Sequence, residues 1–211
     1  MRALRKVKVE WSPQFAYAIG VITTDGNLSP DGRHINVTSK DEEMILTIKK
    51  CLGLQNKIGR KGRGGSMVKK YFVLQFGDVH FYRFLLEIGL KPAKSKTLEA
   101  LDVPRSFFRD FLRGCIDGDG SIGIFRHPES QHPQLRIRLY SASPAFLSWV
   151  KGEVSTVFGI SSGWIEYKEK GMAVLAYAKA DSLKLMKLLY YNGVKFYLGR
   201  KYNIAKRFLG E

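Results

Sequence analysis

The sequence predicts an α+β fold with two pseudosymmetric halves, each an antiparallel sheet that carries helices on one face only. The first observation behind this prediction is a repeat, because segment 12–28 resembles segment 106–122, with Asp25 aligned to Asp119. The second is that an alternating apolar and polar stretch follows each of these aspartates, a period of two that is typical of a half-buried strand. The two repeated helices are expected to pack together and to join the halves.

Each copy is predicted to contain a helix, a strand pair, a second helix, a second strand pair and a closing helix. The two halves comprise residues 1–100 and 101–211. Their matching elements are strands at 34–38 and 136–140, hairpins at 59–76 and 164–177, and closing helices at about 79–89 and 181–191.

The second helix of each copy has its own start and stop signals. Ser39 with Glu42 forms a capping-box pattern in the first copy. In the second copy, Ser143 followed by a proline predicts an N-cap with proline at the first helical position. We expect these helices to end just before Gly53 and Gly159.

Composition and charge limit the classes of protein to which the chain can belong. The chain has 211 residues, 45% of them hydrophobic, which is enough for a sizeable core. Its 35 Lys and Arg residues exceed its 19 Asp and Glu residues, and the formal charge of +16 predicts a polyanionic partner. Cys51 and Cys115 match no disulfide or zinc spacing, which favours a reducing compartment. Without a long apolar run or a secretory signal, we expect a cytoplasmic or organellar protein that is not secreted and has no membrane partner.

Small residues line one face of each repeated helix. Ala16, Gly20 and Thr24 fall four apart in the first helix, as do Gly114 and Gly118 in the second. An interior glycine costs a helix about 1 kcal/mol relative to alanine, so these glycines require a packing reason. Contact between the two helix backbones supplies one.

An aspartate stands at the end of both helices, each followed by a glycine expected to cap the C-terminus. The C-terminus of a helix carries partial negative charge, so Asp25 and Asp119 are disfavoured there, and more so side by side. A divalent cation would remove this conflict, and an all-oxygen ligand set favours Mg²⁺ over zinc. The implied reaction is metal-assisted hydrolysis of a phosphodiester.

Three other sites are not supported by the sequence. Counted from Asp117, the twelfth residue is Pro128 and not the glutamate of an EF-hand. The glycine-rich segment 59–66 lacks the ending of a P-loop. The four histidines share no metal-ligand spacing.

Residues 112–120, LRGCIDGDG, resemble the signature motif of the LAGLIDADG homing endonucleases, and residues 18–26, AIGVITTDG, resemble a weaker first copy with Thr23 where an acid is commoner. The resemblance continues through 94–97, 103–104 and 197–202. It implies a single-chain, two-motif, pseudosymmetric monomer.

The resemblance also implies site residues. Asp25 and Asp119 would bind two or more divalent ions, Mg²⁺ in the first place, joined by the carbonyls of Thr24 and Gly118. The basic residues near the scissile phosphates would be Lys94 and Lys201, and Lys96 and Arg200 are the nearest rivals.

The alternation in the strands assigns an outward sheet face to DNA. Arginine pairs with guanine, asparagine and glutamine pair with adenine, and a two-stranded ribbon fits the major groove. Basic residues at hairpin tips are expected to meet phosphates. The predicted DNA-binding residues are Arg33, His34, Asn36, Thr38, Arg60, Arg63, Lys69, Tyr71, Gln75, Arg126, Arg136, Arg138, Tyr140, Trp164, Glu166 and Lys168.

The function expected from the resemblance is that of a homing endonuclease, a hydrolase that cuts double-stranded DNA at a specific site. An intron RNA splicing maturase or a DNA-binding regulator without cleavage is the alternative, and an origin in an intein is a third interpretation. Retention of both Asp25 and Asp119 argues against a purely binding role.

Overall fold

Two four-stranded antiparallel sheets, one from each half of the chain, form the framework of the protein. The computed structural model describes residues 5–62, 68–126 and 133–209. The first half contains α1 (Pro13–Asp25), β1 (Gly26–Leu28), β2 (His34–Ser39), α2 (Glu42–Cys51), β3 (Ile58–Lys61), β4 (Tyr71–Gly77) and α3 (Val79–Glu87). The second half contains α4 (Phe108–Asp119), β5 (Gly120–Phe125), β6 (Gln134–Ser141), α5 (Pro144–Phe158), β7 (Trp164–Tyr167), β8 (Ala173–Tyr177), α6 (Lys179–Leu189) and α7 (Gly199–Leu209).

Both sheets have the same strand order. The first is β1-β2-β4-β3 and the second is β5-β6-β8-β7, with every neighbouring pair antiparallel. The predicted α+β fold of two pseudosymmetric halves is therefore confirmed. The division at residues 100 and 101 stays a prediction.

The predicted alternation of the strands is also confirmed. Strand β2 buries Ile35 and Val37 and leaves the residues between them partly exposed. Strand β6 does the same with Leu135, Ile137 and Leu139. Apolar side chains of one sheet face pack on the helices, and the opposite face is polar.

The start of α5 is as predicted, whereas the predicted start of α2 is wrong. Ser143 is the N-cap of α5, and its hydroxyl accepts a hydrogen bond from the amide of Phe146 at 3.5 Å. In the first half, β2 extends through Ser39, so the helix begins only at Glu42 with Asp41 as its N-cap. The hydroxyl of Ser39 accepts from the amide of Asp41 at 3.0 Å and does not cap the helix.

Helix α7 was not predicted, and it joins the two halves. The amide of Gly199 donates to both carboxylate oxygens of Glu43 on α2, at 3.1 and 3.2 Å. A second hydrogen bond links the halves at the start of α5, where the hydroxyl of Ser143 donates to the carbonyl oxygen of Leu98. Among the described residues, no helix has the length and apolar character needed to cross a membrane.

Candidate functional site

Helices α1 and α4 touch through their backbones at the centre of the protein. A Cβ atom added to Gly20 would lie 2.1 Å from the carbonyl oxygen of Phe111, and one added to Gly114 would lie 2.2 Å from that of Tyr17. No side chain fits at such distances, which explains why glycine occupies both positions. The contact predicted from the small-residue spacing is confirmed.

The two helices remain in contact up to their C-terminal ends. A Cβ atom on Gly118 would lie 2.0 Å from Oγ1 of Thr24 and 2.3 Å from Oδ2 of Asp25. The last turn of α4 therefore lies directly against the last residues of α1.

Gly26 and Gly120 cap these helices, but without the left-handed backbone that usually selects glycine at this position. Their φ angles are −87° and −93°, in extended conformation, so the chain passes directly from each helix into a strand. A Cβ atom there would approach the preceding turn, at 2.4 Å from the carbonyl oxygen of Ile22 and 2.6 Å from that of Ile116. Close approach, and not backbone conformation, accounts for glycine at these two sites.

Asp25 and Asp119 face a common space beneath the two helix ends. Both border a cavity of about 630 Å³ that opens toward the first sheet, and Asp119 also borders a cavity of about 340 Å³ toward the second. Burial, together with the negative charge of Asp119, raises the pKa of Asp25 to about 7. Burial also raises the pKa of Asp119. Each carboxylate is thus harder to ionise in the folded protein than in water.

This arrangement fits a hard divalent cation. The positive charge of a bound cation would favour the ionised form of both carboxylates and so reverse these pKa shifts. Within the described ranges, no group of three His, Cys, Asp or Glu side chains forms a complete cage. A cation bound here would take its remaining ligands from backbone carbonyls, water or a ligand with oxygen donors, as Mg²⁺ commonly does.

The ammonium group of Lys201 lies beneath the end of α4 and is buried. It donates to the carbonyl oxygens of Ile116 at 2.5 Å, Asp117 at 2.8 Å and Gly120 at 2.7 Å. An ammonium group has three donors, so all of them are used on backbone carbonyls at the junction of α4 and β5. Burial lowers its pKa to about 8.

Lys94 occupies the corresponding place beneath the end of α1. It is buried and donates to the carbonyl oxygen of Gly26, and burial lowers its pKa to about 8. Unlike Lys201, it borders the smaller cavity together with Thr24 and Asp119. Lys94 is therefore the better placed of the two lysines to act on a bound ligand.

The two rival basic residues differ in their distance from the site. Lys96 is exposed. Arg200 borders the larger cavity, where its guanidinium group donates to both carboxylate oxygens of Asp41, at 2.9 to 3.2 Å.

A buried polar stripe on α4 was missed by the sequence analysis. Asp117 accepts hydrogen bonds from the hydroxyl of Tyr17 at 2.9 Å and from the amide of Leu198 at 2.7 Å, and burial raises its pKa to about 6. One and two turns earlier, Arg113 and Asp110 form a fully buried ion pair at 2.7 Å. Spacing of three and four residues along one helix was the signal that could have revealed this stripe.

Most of the predicted DNA-binding residues share the outward sheet faces. His34, Asn36, Thr38, Tyr71 and Gln75 lie on the polar face of the first sheet, opposite the buried residues. On the second sheet the same face holds Arg136, Arg138, Tyr140, Trp164 and Glu166.

The remaining predicted residues lie at strand ends and turns. Arg33, Lys69, Arg126 and Lys168 are exposed. Arg60 pairs with Phe72, and its guanidinium group lies 4.1 Å from that ring, so its register places it on the helix side of the sheet. Arg63 lies outside the described residues.

Solved structures of low sequence identity share this architecture. I-LtrWI, a LAGLIDADG homing endonuclease bound to target DNA, aligns with 93% of this chain and 89% of its own, at 10% identity and a TM-score of 0.59. I-DmoI in complex with DNA and Mn aligns over 85% and 98%, at 18% identity and 0.56. The N-terminal LAGLIDADG domain of WhiA aligns over 97% and 99%, at 17% identity and 0.55. No family model and no curated protein matches the chain.

The chain thus has the LAGLIDADG fold, with both motif helices at its centre. This confirms the resemblance of residues 18–26 and 112–120 to the signature motif. The likeness to these structures establishes the fold.

Proposed function

We propose that this chain is a site-specific endonuclease that hydrolyses both strands of double-stranded DNA. One observation carries the proposal: Asp25 and Asp119 meet at the ends of two touching helices, between two polar sheet faces. The fold neighbours I-LtrWI and I-DmoI, bound to DNA, support this assignment. One chain supplies both aspartates, so a monomer completes the site.

In this function, Asp25 and Asp119 would hold the divalent ions, with the carbonyls of Thr24 and Gly118 as further ligands. Bound Mg²⁺ would supply Lewis-acid stabilisation of the phosphate and a water of lowered pKa. Lys94 would add positive charge beside Asp119, where the phosphate approaches. Lys201 would hold the end of α4, and with it Asp119, in place through the three carbonyls it binds.

The test is cleavage of a randomised duplex library by the purified chain in Mg²⁺. We expect cut sites to share a sequence, and we expect Asp25→Asn and Asp119→Asn to bind the selected duplex in Ca²⁺ without cutting it. Asp102→Asn, at an exposed aspartate that lies outside both motifs and borders neither cavity, is the matched control and should cut normally. Cutting by either motif variant at the wild-type rate would refute the assignment.

The same experiment separates the alternatives. Sequence-specific binding by the wild type without cutting would establish a non-cleaving DNA-binding regulator. No contact in the described part of the chain favours intron RNA as the partner over DNA.

A further inference from the structure

A row of three carboxamides crosses the outward face of the first sheet. Asn27 on β1 pairs with Asn36 on β2, which pairs with Gln75 on β4. Asn27 and Gln75 are exposed and Asn36 is half-buried. Asn27 and Asn36 also border the cavity that holds Asp25 and Asp119. The row is therefore continuous with the proposed active site and begins two residues beyond Asp25.

The equivalent row of the second sheet has different chemistry. It also begins two residues beyond its motif aspartate, where Ser121 pairs with Arg138, and Arg138 pairs with Ala176. Arg138 thus occupies the place of Asn36. Its direct neighbours in the row, Ser121 and the buried Ala176, are small, and the row ends with Trp164 on β7.

The next row outward repeats the contrast. His34 pairs with Gly77 in the first sheet, and Arg136 pairs with Gly123 in the second. The guanidinium group of Arg136 lies 4.3 Å from the centre of the Phe125 ring, which holds it against the sheet. Strand β6 therefore presents two arginines along its outward face, whereas β2 presents an imidazole and a carboxamide.

These side chains complement different bases. A carboxamide donates one hydrogen bond and accepts another, which matches N7 and the N6 amino group of adenine. A guanidinium group donates two parallel hydrogen bonds, which matches N7 and O6 of guanine. The two faces, which are related by the pseudosymmetry of the chain, therefore complement different purines at equivalent positions of the strand register.

We propose that Asn36, together with the carboxamides beside it on the first sheet, reads adenine in one half of the target, and that Arg138 and Arg136 of the second sheet read guanine in the other half. The proposal rests on the proposed function, because it requires DNA to lie across both sheets. Asn36 and Arg138 are the residues that set the difference in the row that begins two residues beyond each motif aspartate.

A reciprocal exchange tests the proposal. The wild type, Asn36→Arg and Arg138→Asn are each used to select bound duplexes from a randomised library in Ca²⁺, and the selected base frequencies are compared. Asn36→Arg should change adenine to guanine at one position, and Arg138→Asn should change guanine to adenine at the position equally far from the centre in the other half. Each bidentate contact predicts a change in relative affinity of about 5- to 150-fold.

Thr156→Arg is the matched control, because it adds the same charge on the exposed surface of α5. It should alter affinity without altering base preference. Exchange variants that bind duplexes with the wild-type base preference at both positions would overturn the half-site assignment. Failure of the wild type to bind any duplex would instead refute the proposed function, so the two failures are distinguishable.

Discussion

Replacing Gly20 with alanine should separate the two central helices. The added Cβ atom would lie 2.1 Å from the carbonyl oxygen of Phe111 and 2.9 Å from the amide nitrogen of Cys115, both backbone atoms. Ordinary van der Waals contact begins at 3.4 Å, so the helices must move apart by roughly 1 Å because no side chain can rotate away. Overpacking of this kind typically costs about 1–3 kcal/mol.

Gly152→Ala is the matched control, because Gly152 also lies inside a helix, α5, but has open space where its Cβ would stand. Alanine is the better helix former, so this variant should be more stable than the wild type by about 0.5–1 kcal/mol. Urea titrations measure both changes in the free energy of unfolding, provided that its dependence on urea concentration is the same in the variants and the wild type.

Activity gives a second measurement on the same pair. A shift of about 1 Å between Asp25 and Asp119 should slow DNA cutting by about 100-fold in Gly20→Ala, while Gly152→Ala cuts normally. If both variants have higher stability than the wild type and unchanged cutting, the helix contact does not hold the site.

Three further predictions concern charge. Lys201→Met should lower the free energy of unfolding by about 2–4 kcal/mol, because three backbone carbonyl oxygens each lose a charged donor, whereas Lys206→Met on the exposed side of α7 should have little effect in the same urea titration. The pKa of Asp25 is raised from 3.8 to about 7, so without metal this carboxyl group stabilises the folded chain below pH 4, and the stabilisation is lost as the pH rises to 7. In EDTA, the melting temperature of Asp25→Asn should therefore rise relative to that of the wild type between pH 5 and 8. Melting temperatures that change in parallel with pH would contradict the raised pKa. If about 8 phosphates are neutralised, the logarithm of the DNA-binding constant should fall with the logarithm of salt concentration with a slope of about −7, and a flat dependence would show that the net charge of +16 does not contribute.

The parts of the site that follow from local rules were predictable from the sequence. Gly20 and Gly114 lie inside apolar helices where glycine is unfavourable, so a backbone contact was the physical reason available. Asp25 and Asp119 end those helices, where a carboxylate is disfavoured without a cation. The strand faces followed from an alternation that leaves one face apolar.

The parts that depend on distant segments were not predictable. The guanidinium group of Arg113 donates to the carbonyl oxygens of Leu189 at 2.9 Å and Phe196 at 2.8 Å, so its burial is compensated by backbone more than 70 residues away. The resemblance brought Lys201 to the site, but sequence spacing did not show that carbonyls use all of its donors. The predicted cap at Ser39 was wrong because strand pairing with β4 takes precedence over the local capping pattern.

One of the differences between the two motif copies is explained by α7. Asp117 in the second copy corresponds to Thr23 in the first, and both are buried. Asp117 binds the amide of Leu198 at the entry to α7, and α7 carries Lys201.

The first half has no described helix equivalent to α7, and the hydroxyl of Thr23 instead donates to the carbonyl oxygen of its own helix at Ile19, at 2.8 Å. Restoring an acid with Thr23→Asp would therefore bury a carboxylate without a donor, which should destabilise the protein by roughly 3–5 kcal/mol at pH 8 and by less at pH 4, where the acid is neutral. Thr23→Val keeps the shape without the charge and should cost less than about 1 kcal/mol at both pH values. Urea titrations that give equal stability for the two variants at pH 8 would show that the first half contains a partner for the acid after all, and that the asymmetry of the motifs has another cause.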